Sequence, residues 1–140
     1  MIEKCNECNN NKNIPVRENN RTFRIINDSM FYINKVKVDD CYIKSGLRCD
    51  YLFEIIEKDI VKKVFYVELK GKNIEHAIKQ LEQTILYCKS IHKNISEKEC
   101  HIIASRVPSA NTKFQKLKSE FKRKNGVQLF NKNKEQIITV

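Results

Sequence analysis

Short runs of alternating apolar and polar residues dominate the chain, and a helical period replaces them in two places. Residues 22–26 and 31–38 are rich in β-branched and aromatic side chains, which predicts two strands with Asn27, Asp28 and Ser29 as the turn between them. Residues 49–56 and 61–70 form a second pair of apolar runs, broken at Lys58 and Asp59 and closed by Gly71, which reads as an antiparallel hairpin. A helix is predicted from Asn73, a good N-cap, to about Ile91, because Ile74, Ala77, Ile78, Leu81, Ile85 and Cys88 recur on one face. The compact apolar run 100–105 predicts a strand. Pro108 then breaks the chain before a second helix over 112–124, which buries Phe114, Leu117 and Phe121 and stops at Asn125 and Gly126. Residues 127–130 and 137–140 close the series as short strands. The first 20 residues are polar, without period and interrupted by Pro15, and are expected to be loop or poorly ordered. The order β-β-β-β-α-β-α-β predicts an α/β fold, a mixed sheet flanked by helices, with 1–140 as a single domain.

Composition narrows the class. No apolar run approaches the roughly 20 residues that a membrane-spanning helix requires, and the first residues lack the apolar segment of a secretory signal, so a cytoplasmic protein without a membrane partner is expected. The net charge of +10, carried mainly by lysine, favours polyanionic partners and nucleic acid above all. Six cysteines in a chain without a signal segment are expected to be free thiols. Cys5 and Cys8 have the spacing of a zinc half-site, for which Cys41 and Cys49 are the nearest completing ligands.

The hairpin carries the chemistry. Glu68 and Lys70 are two apart on a strand and share a face, with Leu69 pointing the other way. If Glu57 pairs with Val61 across a three-residue loop, Asp50 falls opposite Glu68, and cross-strand partners have Cβ atoms about 4.5–5.5 Å apart. Two carboxylates so close repel unless a cation lies between them, and oxygen donors favour Mg²⁺ or Mn²⁺ over zinc. Such a metal would lower the pKa of a bound water and stabilise charge building on a phosphodiester under attack. Lys70 would orient or deprotonate that water, or neutralise the scissile phosphate.

Asp50 followed by Tyr-Leu-Phe, and Val67-Glu68-Leu69-Lys70-Gly71, resemble the motif of the PD-(D/E)xK nuclease superfamily, which holds many restriction endonucleases, Holliday-junction resolvases and RecB-type exonucleases. The resemblance spans about residues 36–105, and the proline that often precedes the aspartate is absent. It implies a restriction-endonuclease-like αβββαβ core. It also implies Mg²⁺ held by Asp50, Glu68 and the Leu69 carbonyl, and Lys70 near the attacking water of a hydrolase acting on DNA. Gln83 and Tyr87 have the spacing of a further element of RecB-like members, and Gln80 lies one turn earlier. His76, Gln80, Gln83 and Tyr87 flank the apolar helix face, where they could grip a substrate strand. Many members draw one more acid from upstream, for which Asp40 is the nearest candidate together with Asp39.

Lys113, Lys116, Lys118, Lys122, Arg123 and Lys124 surround the second helix, and Lys72 and Lys79 flank the motif. Such a surface tracks phosphates without reading bases. One site per chain cutting a two-stranded substrate favours a homodimer. The alternative class is a nucleic-acid-binding protein of the same fold that has lost the reaction.

Overall fold

The computed structural model describes residues 3–69, 73–104 and 112–140. After a 3-10 turn at Glu3–Cys5 come β1 (Asn6–Asn9), β2 (Asn13–Glu18), β3 (Arg21–Ile26), β4 (Tyr32–Lys37), β5 (Tyr51–Glu57) and β6 (Ile60–Glu68). Then follow α1 (Ile74–Tyr87), β7 (Glu97–Ala104), α2 (Thr112–Asn125), β8 (Gln128–Asn133) and β9 (Glu135–Thr139). The architecture is mixed α/β, dominated by strands. A six-stranded sheet runs β1-β4-β5-β6-β7-β8, and a three-stranded sheet runs β2-β3-β9. β1, β4, β5 and β6 are successively antiparallel, whereas β7 and β8 run parallel to β6.

Two apolar clusters follow from strand alternation. Val36, Leu52, Val64, Tyr66, Cys100, Ile102 and Leu129 point to one side of the large sheet and pack on Ala77, Leu81 and Cys88 of α1 and Phe121 of α2. Ile33, Phe53, Ile55, Phe65, Val67 and Ile103 point to the other side and pack on Ile14, Val16, Phe23 and Ile25 of the small sheet. The expectation of a sheet flanked by helices is therefore corrected. Both helices share one face, joined by Lys113–Glu75 and Lys124–Glu82 ion pairs, and the small sheet covers the other.

That second layer overturns the expected loop at the start of the chain. Residues 6–9 and 13–18 are strands, and Ile14 and Val16 alternate inward in β2 while Pro15 sits on the outer side of an edge strand, where its missing N–H is tolerated. The alternation was too short, and too close to Pro15 and the Asn-rich stretch, to stand out alone. β3 and β4 lie in different sheets. Asn27 makes the corner between them, its side chain donating to the Phe31 and Asn11 carbonyls and accepting from Phe31 N–H.

The cysteines depart from expectation too. Cys5 and Cys41 form a disulfide, which joins the start of the chain to the loop after β4 across a separation of 36 residues. Cys8, Cys49, Cys88 and Cys100 are free, with Cys8 exposed and the others buried. Two of the six expected free thiols are thus a disulfide, and the four cysteines whose spacing could have served zinc are divided between that disulfide, the surface and the core. Helix α1 begins as predicted, with the Asn73 side chain accepting from His76 N–H at 3.1 Å, but it ends at Tyr87.

Candidate active site

The β5–β6 hairpin turns in two residues, not three. Glu57 pairs with Ile60, and Lys58 and Asp59 between them adopt φ of 52° and 65°. Both values lie in the left-handed region that a two-residue turn matching the strand twist requires. Seven residues from each side of that turn, an unbroken ladder would set Asp50 against Val67. The ladder is broken, because Ile56 pairs with Val61 and Ile55 with Lys63, leaving Lys62 as an extra residue. Beyond this bulge the pairing runs to Leu52–Tyr66 and ends at Tyr51–Val67, and Asp50, one residue outside the ladder, donates its N–H to Val67 O. The expected cross-strand pairing of Asp50 with Glu68 is therefore not part of the ladder; the two residues stand beside its end.

Leu52 and Tyr66 face the helices, and alternation along β6 puts Glu68 on that face, while Asp50 precedes β5 next to Cys49, which packs in the same cluster. Leu69 turns to the opposite core. Both carboxyl residues are buried, at 4% and 1% exposure, a depth at which ionised groups need close compensation. Asp50 is held at its backbone and at one carboxylate oxygen. Its N–H donates to Val67 O, its carbonyl accepts from Val38 and Asp39 N–H, and its Oδ2 accepts from Leu69 N–H at 2.7 Å. The neighbouring Cys49 thiol is driven well above its ordinary pKa, first by burial and further by the charges of Glu68 and Asp50, while a hydrogen bond with Thr84 opposes the shift.

Lys70, with Gly71 and Lys72, lies outside the described residues. Among the described residues no group of three or more His, Cys, Asp or Glu side chains converges as a metal cage. Asp50 and Glu68 are two buried carboxylates near the end of the hairpin, and carboxylates are donors of the kind that Mg²⁺ takes when water and backbone oxygens complete its shell. Asp40 does not join them. It is exposed in the turn that follows β4, at φ 57°, while Asp39 forms an ion pair of 2.9 Å with Arg48.

The helix residues divide. Gln80 reaches the segment before Asp50, its Nε2 donating to the Arg48 carbonyl at 3.1 Å. Gln83 and Tyr87 are exposed and line a groove of about 290 Å³ with Leu47 and Leu86, and Tyr87 meets Tyr42 edge to face at 5.5 Å. His76 is exposed at the helix cap. On α2, Lys118, Lys122 and Arg123 line a groove of about 420 Å³ beside β8, the edge strand of the large sheet.

Sequence reasoning missed a buried polar chain on the carboxylate face. Asn34 Nδ2 donates to Glu54 Oε1 (2.9 Å), Glu54 Oε2 lies 2.7 Å from His92 Nε2, and His92 Nδ1 lies 2.6 Å from the Tyr66 hydroxyl. Burial raises the Glu54 pKa, but hydrogen bonds from His92 and Asn34 and the charge of His92 outweigh it, so the net shift is downward. Glu54 lies two strand positions from Leu52 on the apolar face, a position that could have flagged it. Its partner His92 is 38 residues away and carried no signal. Thr84 was missed as well; it is fully buried and bonds Cys49 N–H at 2.8 Å.

No protein-family model, no curated protein and no solved structure matches this chain.

Proposed function

We propose that the protein is a metal-dependent nuclease that hydrolyses phosphodiester bonds, with DNA as the substrate class. The burial of both Asp50 and Glu68 beside the end of the β5–β6 ladder, where Leu69 N–H bonds the Asp50 carboxylate, supports this reading. Asp50, Glu68 and the Leu69 carbonyl would hold Mg²⁺ or Mn²⁺. When bound, that ion supplies a water of lowered pKa and charge neutralisation at the phosphate. The Leu69 N–H bonds one Asp50 oxygen and so sets the orientation of the carboxylate. Lys70 is assigned to the attacking water, or to the scissile phosphate, from its place two residues after Glu68.

The succession of β4, β5 and β6 as an antiparallel meander, then α1, then β7 parallel to β6, fits the βββαβ part of a restriction-endonuclease-like core. The leading helix of that core has no counterpart among the described residues, where β1 to β3 precede the meander. The basic groove on α2 suits a phosphate backbone, and two copies would cut two strands.

The decisive experiment incubates purified protein with supercoiled, linear, single-stranded and branched DNA in Mg²⁺, Mn²⁺ or EDTA, beside Lys70→Ala. Cleavage that requires metal and is lost in Lys70→Ala is the expected result. Cleavage that survives EDTA would refute the mechanism. Tight binding without cleavage in every metal would favour the second reading, a non-catalytic nucleic-acid-binding protein, to which the basic groove is equally suited.

A further inference from the structure

Asp50 stands one residue before β5 begins, so the peptide group joining Arg48 to Cys49 lies outside the strand ladder. Cys49 is fully buried, and a buried peptide N–H without a partner is costly. Helix α1 supplies what a neighbouring strand would. The carbonyl of that peptide accepts from Gln80 Nε2 at 3.1 Å, and its N–H donates to Thr84 Oγ1 at 2.8 Å. Gln80 and Thr84 are four residues apart and lie on one helix face. The direction of the second bond is also set. Thr84 Oγ1 donates its own proton to the Gln80 carbonyl at 2.9 Å, which leaves a lone pair for Cys49 N–H. One rigid helix therefore grips both ends of the single peptide unit that precedes the metal-binding aspartate.

We propose that Gln80 and Thr84 are positioning residues that aim the Asp50 carboxylate at the metal. The proposal rests on the nuclease reading above. Neither side chain touches the reacting atoms. Each acts through the backbone of residues 48 and 49, next to an Asp50 main chain that is itself anchored from β6 and from the loop after β4.

The test compares Thr84→Val, Thr84→Ser and Gln80→Leu with the wild type in three measurements: Mn²⁺ affinity without DNA by electron paramagnetic resonance, kcat and KM for DNA cleavage, and thermal unfolding. Thr84→Val, close in shape but lacking the hydroxyl, is expected to weaken Mn²⁺ binding about tenfold and to lower kcat by a similar factor with KM unchanged. Thr84→Ser keeps the hydroxyl and is expected to restore both to within about twofold, which a packing role for the Thr84 methyl would not allow. Gln80→Leu, at a half-buried position, tests the other end of the clamp if Thr84→Val does not fold, and a smaller loss of the same kind is expected. Folded Thr84→Val or Gln80→Leu with wild-type metal affinity and kcat overturns the clamp alone. Thr84→Ser as impaired as Thr84→Val overturns it as well. A wild-type protein that neither binds Mn²⁺ nor cleaves overturns the nuclease reading and the clamp together.

Discussion

The backbone N–H of Leu69 donates to Oδ2 of Asp50 over 2.7 Å, so the residue immediately after Glu68 orients the Asp50 carboxylate. The contact closes the end of the hairpin. It joins the two halves of a motif that are 18 residues apart in the chain and fixes one of the two oxygens that a metal would meet.

Asp50→Asn separates charge from shape. The amide oxygen can still accept from Leu69 N–H, and the volume is unchanged, so unfolding temperature is expected to stay within a few degrees. Loss of the charge is expected to lower metal-dependent cleavage by about 10²-fold or more, measured under single-turnover conditions. Retained cleavage would remove Asp50 from the site.

The hairpin turn offers a stability test away from the chemistry. Lys58 and Asp59 both hold positive φ, which costs a residue with a Cβ about 1 kcal/mol or more. Lys58→Asn with Asp59→Gly supplies the pair that such a turn prefers. The double variant is expected to be about 1 kcal/mol more stable by denaturant titration, with cleavage unchanged because the Lys62 bulge still sets the register at Asp50.

Cys5 and Cys41 close a loop of 36 residues, and chain-entropy arguments give such a cross-link about 3–4 kcal/mol. Cys41→Ser is expected to lose stability on that scale, and the wild type to lose the same amount in dithiothreitol. Four alkylatable thiols in the denatured, unreduced protein confirm the pairing. Six would show that the bridge is open, the state favoured in a reducing compartment.

Acid should destabilise the protein in two stages. His101 is buried against Phe23, Phe65 and Phe130, and burial lowers its pKa below the ordinary 6.5 despite a 3.0 Å contact with Glu99. A histidine held neutral contributes stability above its unfolded pKa that is lost as pH falls through the lowered folded value. Glu54 and Glu99, both lowered from 4.5, contribute stability present above that value and lost as pH falls through their folded pKa values. His101→Phe is expected to flatten the loss between pH 7 and 5 and to leave the loss below pH 4.5, read from unfolding midpoints across that range.

Nucleic-acid affinity should depend steeply on salt through α2. Lys118 and Lys122 line its groove, and removing both as alanines is expected to reduce the slope of log affinity against log salt by about 2. An unchanged slope would place the backbone contacts elsewhere.

The sequence by itself determined the elements whose signal is local. The hairpin strands, the Asn73 cap and the period of α1 could all be read from residues a few positions apart. The tertiary structure alone decided what depends on distant partners. The small sheet needs β9 beside β3, more than a hundred residues later. The Cys5–Cys41 bridge and the Glu54–His92 contact join segments about 36 to 38 residues apart, and the Thr84 grip on Cys49 N–H spans 35. The hairpin register came from both sources. Alternation fixed which residues of β5 and β6 share a face, while the two-residue turn and the Lys62 bulge set which of them pair, because a burial pattern with a period of two tolerates no uncorrected single-residue slip.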